Sequence, residues 1–453
     1  MAAVMEIALA GHYGYRRLLR TAAPSVVMIL VSSVYGIVDG LFVSNYVGKS
    51  GFAAVNLVWP AIMMLGALGM MVGSGGAALV GKIKGEGYPL KADRVFTMLV
   101  RFLGCSGVAV GVLFAIFAPA IVRWLGADAA MAADAVLYSR VCMLGMPFFM
   151  MQNAFQSFYM AAERPQLGTW MSVASGVVNI VFDAVFVVLL RWGVAGAAAA
   201  TMLAQVVGGA FPLLYFASRR FNRGSLHLLR GSRTLWPYIG QACTNGLSEY
   251  VGAISLSLVS ICYNLQLMRY LGEDGVAAYG VVMYISFVLA AFFIGYNIAL
   301  TPVIGYHYGA RDLGEQRSLL RKSLLIILGV GVVLTVAAEA LAVPAARLFV
   351  GYDAALAALT ARAIRIYSLC FLICGWSMFA SALFTGLQNG VVSAAAAFAR
   401  SLVFEMGAVW LLPTLVGIDG IWWAVGVSEV LTLLFCAFLL LRFAPQLVRS
   451  RGK

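Results

Sequence analysis

The chain has 453 residues, a formal net charge of +13, 62% hydrophobic residues and 11% charged ones, with a mean hydropathy of +0.94. A soluble domain carries roughly 45–50% apolar and about 25% charged residues, so the composition excludes a soluble enzyme and predicts an all-α polytopic membrane protein. The positive charge invites a nucleic-acid partner, which the placement of the basic residues excludes below.

Apolar runs of about 20 residues are long enough to cross a bilayer as helices. Twelve occur, at 18–43, 53–80, 95–117, 135–160, 168–190, 195–217, 237–267, 277–305, 320–343, 359–385, 391–412 and 421–441. Turn residues separate them, as in GKSG at 48–51, GEGYP at 85–89, ERPQ at 163–166, GEDG at 272–275 and QNG at 388–390. The opening residues MAAVMEIALAGHYGYRRLLR show no cleavable-signal pattern.

The first span carries Asp39 within VSSVYGIVDGLFV. GKS at 48–50 imitates the end of a phosphate loop, but Val43 stands where that loop needs glycine. GSGG at 73–76 reads as close helix packing. The fourth span, MPFFMMQNAFQSFYM, mixes Gln152, Asn153 and Gln156 with Phe149, Met150 and other aromatic and Met side chains. Such a face suits adaptable binding of planar or cationic apolar molecules, or ordinary helix packing. In the fifth span Asn179 and Asp183 share a helix face. A carboxylate at bilayer depth costs about 2.5–3.5 kcal/mol on insertion scales, so it is kept where it faces a partner or a wet cavity. Asp39, Asn179, Asp183 and Thr201 of the sixth span could form one oxygen-rich cluster. Two close carboxylates cannot both stay ionised cheaply, which suits a proton carrier. The same oxygens could hold a hard cation such as sodium, or could simply join helices. Asn245 and Glu249 repeat the Asn–Asp spacing in the seventh span, and Glu339 lies near the end of the ninth. Glu405 and Glu429 could pair with Arg400 or with each other.

Placing the N-terminus in the cytoplasm puts 21 of the 31 basic residues on inner segments and five on outer ones. That asymmetry predicts an even number of spans and cytoplasmic ends. It also assigns the net charge to lipid headgroups rather than a nucleic acid. The seven cysteines form no CxxC pair and read as small apolar residues, not as metal ligands. There is no HExxH, no nucleophile–base set and no ATP motif, so the chain reads as no enzyme, with no cofactor, driven by an ion gradient.

Three separate pairs of segments recur at a shift of 224 or 225: YVGKSGFAAVNLVW with YLGEDGVAAYGVVM, YMAAERP with FTGLQNG, and GVAG with GIDG. The chain therefore divides into residues 1–217 and 235–453, six spans each, joined by a cytoplasmic linker at 218–234. Parallel repeats of this kind are common in secondary transporters.

The residues then match a known family. P-x₁₄-D-G-x-F-V (Pro24, Asp39, Gly40, Phe42, Val43), VGKSGFAAV, the Asn179/Asp183 pair before GVAGAAAAT, GEDGVAAYGVVMYIS and PVIGYHYGARD together resemble the multidrug and toxic compound extrusion (MATE) transporters, most like their small bacterial branch. The resemblance spans essentially the whole chain. It implies twelve transmembrane helices in two pseudo-symmetric six-helix lobes around a central V-shaped cleft. It implies a bacterial inner-membrane protein that exports amphipathic or cationic organic compounds by proton or sodium antiport. It further implies an ion site at positions matching Asp39, Asn179, Asp183 and Thr201 with Tyr138, and a second acid at Glu249. Ala184 follows Asp183 where many relatives have proline. A monomer is expected. The alternatives are a lipid-linked precursor flippase of the same superfamily, which needs cations in its cleft, and a non-transporting receptor or scaffold.

Overall fold

The computed structural model describes residues 8–448 apart from 48, 127–128, 219, 221, 223, 230–235 and 352. In the first half the helices are α1 (Tyr15–Phe42), α2 (Lys49–Gly85), α3 (Pro89–Trp124), α4 (Ala129–Leu144), α5 (Met146–Ala161), α6 (Pro165–Asp183) and α7 (Gly193–Ala217). In the second they are α8 (Trp236–Asn245), α9 (Leu247–Gly309), α10 (Leu313–Val350), α11 (Ala354–Ser368), α12 (Cys374–Gly386), α13 (Gly390–Phe398), α14 (Met406–Val416), α15 (Asp419–Phe443) and the short α16 (Pro445–Val448). Among the described residues every regular element is helical.

Ten of these stretches are long and apolar enough to cross a membrane, against the twelve predicted. The difference arises at two places. The fourth predicted span is broken at Gly145 into two 16-residue helices, because Pro147 offers no N–H to the preceding turn. The seventh and eighth run together as the 63-residue α9, interrupted only at Gly272 (φ 63°, ψ −149°). A straight helix of that length would extend about 95 Å, far beyond a bilayer. Only glycine adopts that backbone without strain, so the GEDG connector is reduced to one residue. Counting α9 as two crossings and α4–α5 as one would restore twelve.

Two apolar cores form. One draws on residues from Val43 to Ala242 and contains the ring cluster Phe96, Phe155, Phe158 and Phe216. The other draws mainly on residues from Val259 to Leu447. The predicted linker 218–234 lies partly outside the described residues. Its described part packs on the first half, where the His227 and Leu229 amides donate to Asp93 Oδ1 and Thr97 Oγ1 at 2.9 and 3.0 Å.

The halves meet along a seam that begins at the end carrying both described termini. Gly81 and Gly85 of α2 pack on the Pro302 and Tyr306 carbonyls, and Gly305 and Gly309 of α9 pack on those of Ala78 and Lys82. A side chain at any of these glycines would hold the two backbones apart. With no hydrophobic drive between helices in lipid, such close packing is what joins them. Beside this seam Gly295 meets Val26, and Met28 and Ile29 cluster with Ala291. Toward the other end Val34, Tyr46, Leu256, Met268 and Tyr284 are exposed. The glycine seam is thus where the two halves close on each other.

Across the terminal end lies the strap Leu9–Tyr13. The Leu9 amide donates to Glu163 Oε1 of the first half at 3.0 Å. The Tyr13 amide donates to Glu315 Oε1 of the second at 2.8 Å, and His12 Nδ1 lies 2.7 Å from Glu315 Oε2. Lys322 Nζ donates to the Tyr13 carbonyl at 2.7 Å.

Candidate functional site

In α6 Asn179 and Asp183 sit one turn apart and face α1. The close approach of α1 depends on Gly176, where a Cβ would lie 3.0 Å from the Tyr35 ring. The Thr169 hydroxyl fixes the same helix pair by donating to the Pro24 carbonyl at 2.8 Å. This brings Asp39 of α1 to Asn179, whose Nδ2 donates to Asp39 Oδ1 at 3.4 Å. Asp39 and Asp183 lie within hydrogen-bonding reach of each other. Tyr138 of α4 is 1% exposed and stands beside Thr201 of α7 and near Asp39. The predicted ion-site residues of the first half therefore converge from four helices.

Asp183 is 0% exposed; among the described residues no N–H or hydroxyl donor reaches its oxygens, and the group within their reach is the Asp39 carboxyl. Asn179 Oδ1 and Thr201 Oγ1 have no hydrogen-bond partner among the described residues. An unsatisfied buried polar group costs about 1–3 kcal/mol, and buried polar groups are normally paired. Oxygens of this kind, buried beside the Asp39–Asp183 pair, are a fit for a proton shared between the two carboxylates or for a small hard cation with several oxygen ligands. The helix also changes form here. Ala184–Leu189, immediately after Asp183, is a π-helical stretch. Single π turns inside α-helices recur at functional sites, and this one begins at Ala184, directly after Asp183.

Two further residues extend the cluster. Ser175 Oγ and Gln205 Oε1 are buried and lack hydrogen-bond partners among the described residues. Each is four residues from a predicted site residue, Ser175 before Asn179 and Gln205 after Thr201. That i, i+4 spacing is the signal that would have found them. Gln152, half-buried, lies at Gly208 next to Ser175.

The other residues expected to line the cleft have different surroundings. Phe149 and Met150 are buried against Gly66 and Gly69 of α2. Asn153 donates to the Gly66 carbonyl at 3.2 Å, while Gln156 is half-buried. A cavity of about 410 Å³, lined in part by Thr97, Arg101, Cys105, Met151 and Leu213, lies apart from the oxygen cluster. Glu249 is exposed and has the Ser74 hydroxyl of α2 as a hydrogen-bond partner. Gly75 and Gly246 touch beside it, so Glu249 sits next to a contact between the two halves.

In the second half Arg400 chelates Glu429, with Nε and Nη2 2.7 and 2.6 Å from Oε1. The remaining arginines inside predicted spans are tied within their own half or to the linker packed on it. Arg101 and Arg140 donate to the Leu229 and Ala115 carbonyls, Arg362 pairs with Asp419, and Arg365 lies 3.8 Å from Glu339.

The family profile described as MatE matches residues 24–185 and 250–411, two segments whose starts are 226 residues apart. The multidrug export protein MepA of Staphylococcus haemolyticus is 21% identical over 444 residues, covering 96% of this chain and 94% of that protein. Its namesake in Staphylococcus saprophyticus is 23% identical and covers 92% and 91%. A MATE crystal structure in complex with MaL6 superposes with a TM-score of 0.90 at 21% identity, over 99% of this chain and 100% of that one. A MOP superfamily transporter from Pyrococcus furiosus does so with a TM-score of 0.88 at 22% identity and the same coverage.

Proposed function

Because the chain belongs to the MatE family of membrane transporters, we propose that it is an ion-coupled exporter of amphipathic or cationic organic compounds, exchanging them for protons or sodium. The observation that carries this reading is the group of four buried oxygens on Asn179, Asp183 and Thr201 beside Asp39. Carboxylate, amide and hydroxyl oxygens gathered from several helices and withdrawn from solvent are the donor set that a proton or a small hard cation requires. The names of the staphylococcal relatives, multidrug export proteins, support the substrate class.

In this reading both ends of the chain are cytoplasmic in a bacterial inner membrane, and a monomer is the working unit. The halves 1–217 and 235–453 rock about the glycine seam. Substrate leaves while the cleft faces outward. Ion binding between α1 and α6 then alters the π-helical stretch after Asp183, and the reset cleft opens inward. Glu249, exposed beside the contact between the halves, would meet the cationic part of the substrate; of the α5 residues proposed to join it, Gln152 and Gln156 are half-buried, while Asn153, Phe149 and Met150 are buried. The flippase alternative needs free cations for a diphosphate, and each intraspan arginine has an acceptor in its own half or, for Arg101, in the linker packed on it.

The test is efflux of a fluorescent organic cation from cells or everted vesicles, with the sodium and proton gradients collapsed separately. Efflux should stop with one gradient and in Asp183→Asn at equal expression. Efflux that survives Asp183→Asn would remove the ion-coupling role.

A further inference from the structure

The second half carries its own polar cluster at the same place in its helix order. The oxygen site of the first half draws on its first, fourth, fifth and sixth crossings: α1, α4, α6 and α7. The corresponding elements of the second half are the first arm of α9, then α11, α13–α14 and α15. They supply Tyr263, Tyr367, Arg400 with Glu405, and Glu429. The fifth element is again π-helical at the site, over Ala399–Glu405. Glu405 is within electrostatic range of Arg400 and Glu429, and Tyr263 within range of Glu405.

The occupants differ. Glu429 is 1% exposed and receives both Nε and Nη2 of Arg400 on one oxygen. Its other oxygen, Oε2, and the fully buried Tyr263 hydroxyl have no hydrogen-bond partner among the described residues. The pocket therefore has the form of the first-half site, acid and unpaired oxygens together, but a guanidinium already fills it. We propose that Arg400 is a tethered cation: it holds in the second half the place that an exchangeable ion takes in the first, and so limits ion exchange to the Asp39–Asp183 site. Arginine suits the role because its charge is never lost in proteins and its fork matches a carboxylate. The inference rests on the reading that Asp39 and Asp183 bind the coupling ion.

Without Arg400, Glu429 is an acid in an apolar pocket with no counter-charge, and it must take up a proton or sodium. The experiment uses the full chain in proteoliposomes. The cation equivalents moved per molecule of a fluorescent organic cation are measured from accumulation against imposed sodium and proton gradients. Arg400→Gln should move one equivalent more than the wild type, and Arg400→Lys the same number as the wild type. Arg400→Gln/Glu405→Gln/Glu429→Gln, which removes the guanidinium and both acids near it, should also match the wild type. An unchanged count in Arg400→Gln overturns the proposal. So does a lost equivalent in the triple variant, which decides the matter if Arg400→Gln does not fold. Asp183→Asn is run alongside: if it leaves the wild-type count intact, the first-half reading fails, while the gain in Arg400→Gln still reports on Arg400 itself.

Discussion

Asp183 is the residue whose surroundings most resist a purely structural explanation. It is fully buried, its oxygens lack donors, and Asp39 stands beside it. Two buried carboxylates this close favour a shared proton or a bound cation over two free charges. Asp183→Asn should therefore raise the melting temperature of the purified protein in ion-free buffer, by the equivalent of about 1–3 kcal/mol for a relieved buried group. Adding the coupling ion should close that gap, since only the wild type gains stability by binding it. A melting temperature lowered by the substitution would mean that the carboxylate is structurally satisfied. Thr201→Val keeps the shape and removes one oxygen, so it should weaken ion affinity by about tenfold, roughly the worth of one hydrogen bond to a charged group. Titration of the melting shift against ion concentration reads this directly. Asp39, Asn179 and Asp183 were legible because a carboxylate or amide in an apolar run has no bland explanation. Ser175 and Gln205 were not, because such residues occur in helices for ordinary reasons, and only their unpartnered atoms distinguish them.

At the scale of elements, hydropathy placed the apolar centres of the helices, since apolar length is set by the bilayer, but α3 and α10 run six or seven residues past each predicted end. It could not foresee that α9 would run through GEDG with a break at Gly272 alone, or that α6 would turn π-helical after Asp183. Both depend on backbone hydrogen bonds that no side-chain pattern encodes. The seam was half legible. GSGG was read as close packing, but Gly81, Gly85, Gly305 and Gly309 matter through their partners across the halves. Gly305→Leu should separate α2 and α9 at the seam, with an overpacking cost of about 1–3 kcal/mol. The expected outcome is a folded protein with lost efflux, whose terminal end is more open to labelling at an introduced cysteine. Efflux at the wild-type rate would show that the halves need not meet there.

For the whole molecule, the strap Leu9–Tyr13 is the part of the chain that holds the two halves at once outside the helices. Sequence offered no hint of it, because its bonds are made by main-chain amides of an unremarkable segment and by acids in two distant turns. Its anchors are Glu163 on one side and Glu315 with Lys322 on the other. Burial pushes the Tyr13 phenol above its ordinary pKa, so it stays a neutral donor to the Ala8 carbonyl at 2.9 Å and the strap keeps its shape as pH rises. A tie of this kind acts only while both ends are fastened. Glu163→Ala and Glu315→Ala should each release it, at about 1.5–3 kcal/mol for hydrogen bonds to a charged acceptor. If the tie stabilises the outward-open form, each should raise the labelling rate of a cysteine at the seam about tenfold or more. The double variant should then do no more than the single variants, because a strap freed at one end has nothing left to lose at the other. Independent contributions would instead add. The double-mutant cycle thus separates a connection between the halves from two unrelated surface contacts, and additive rates would rule the connection out.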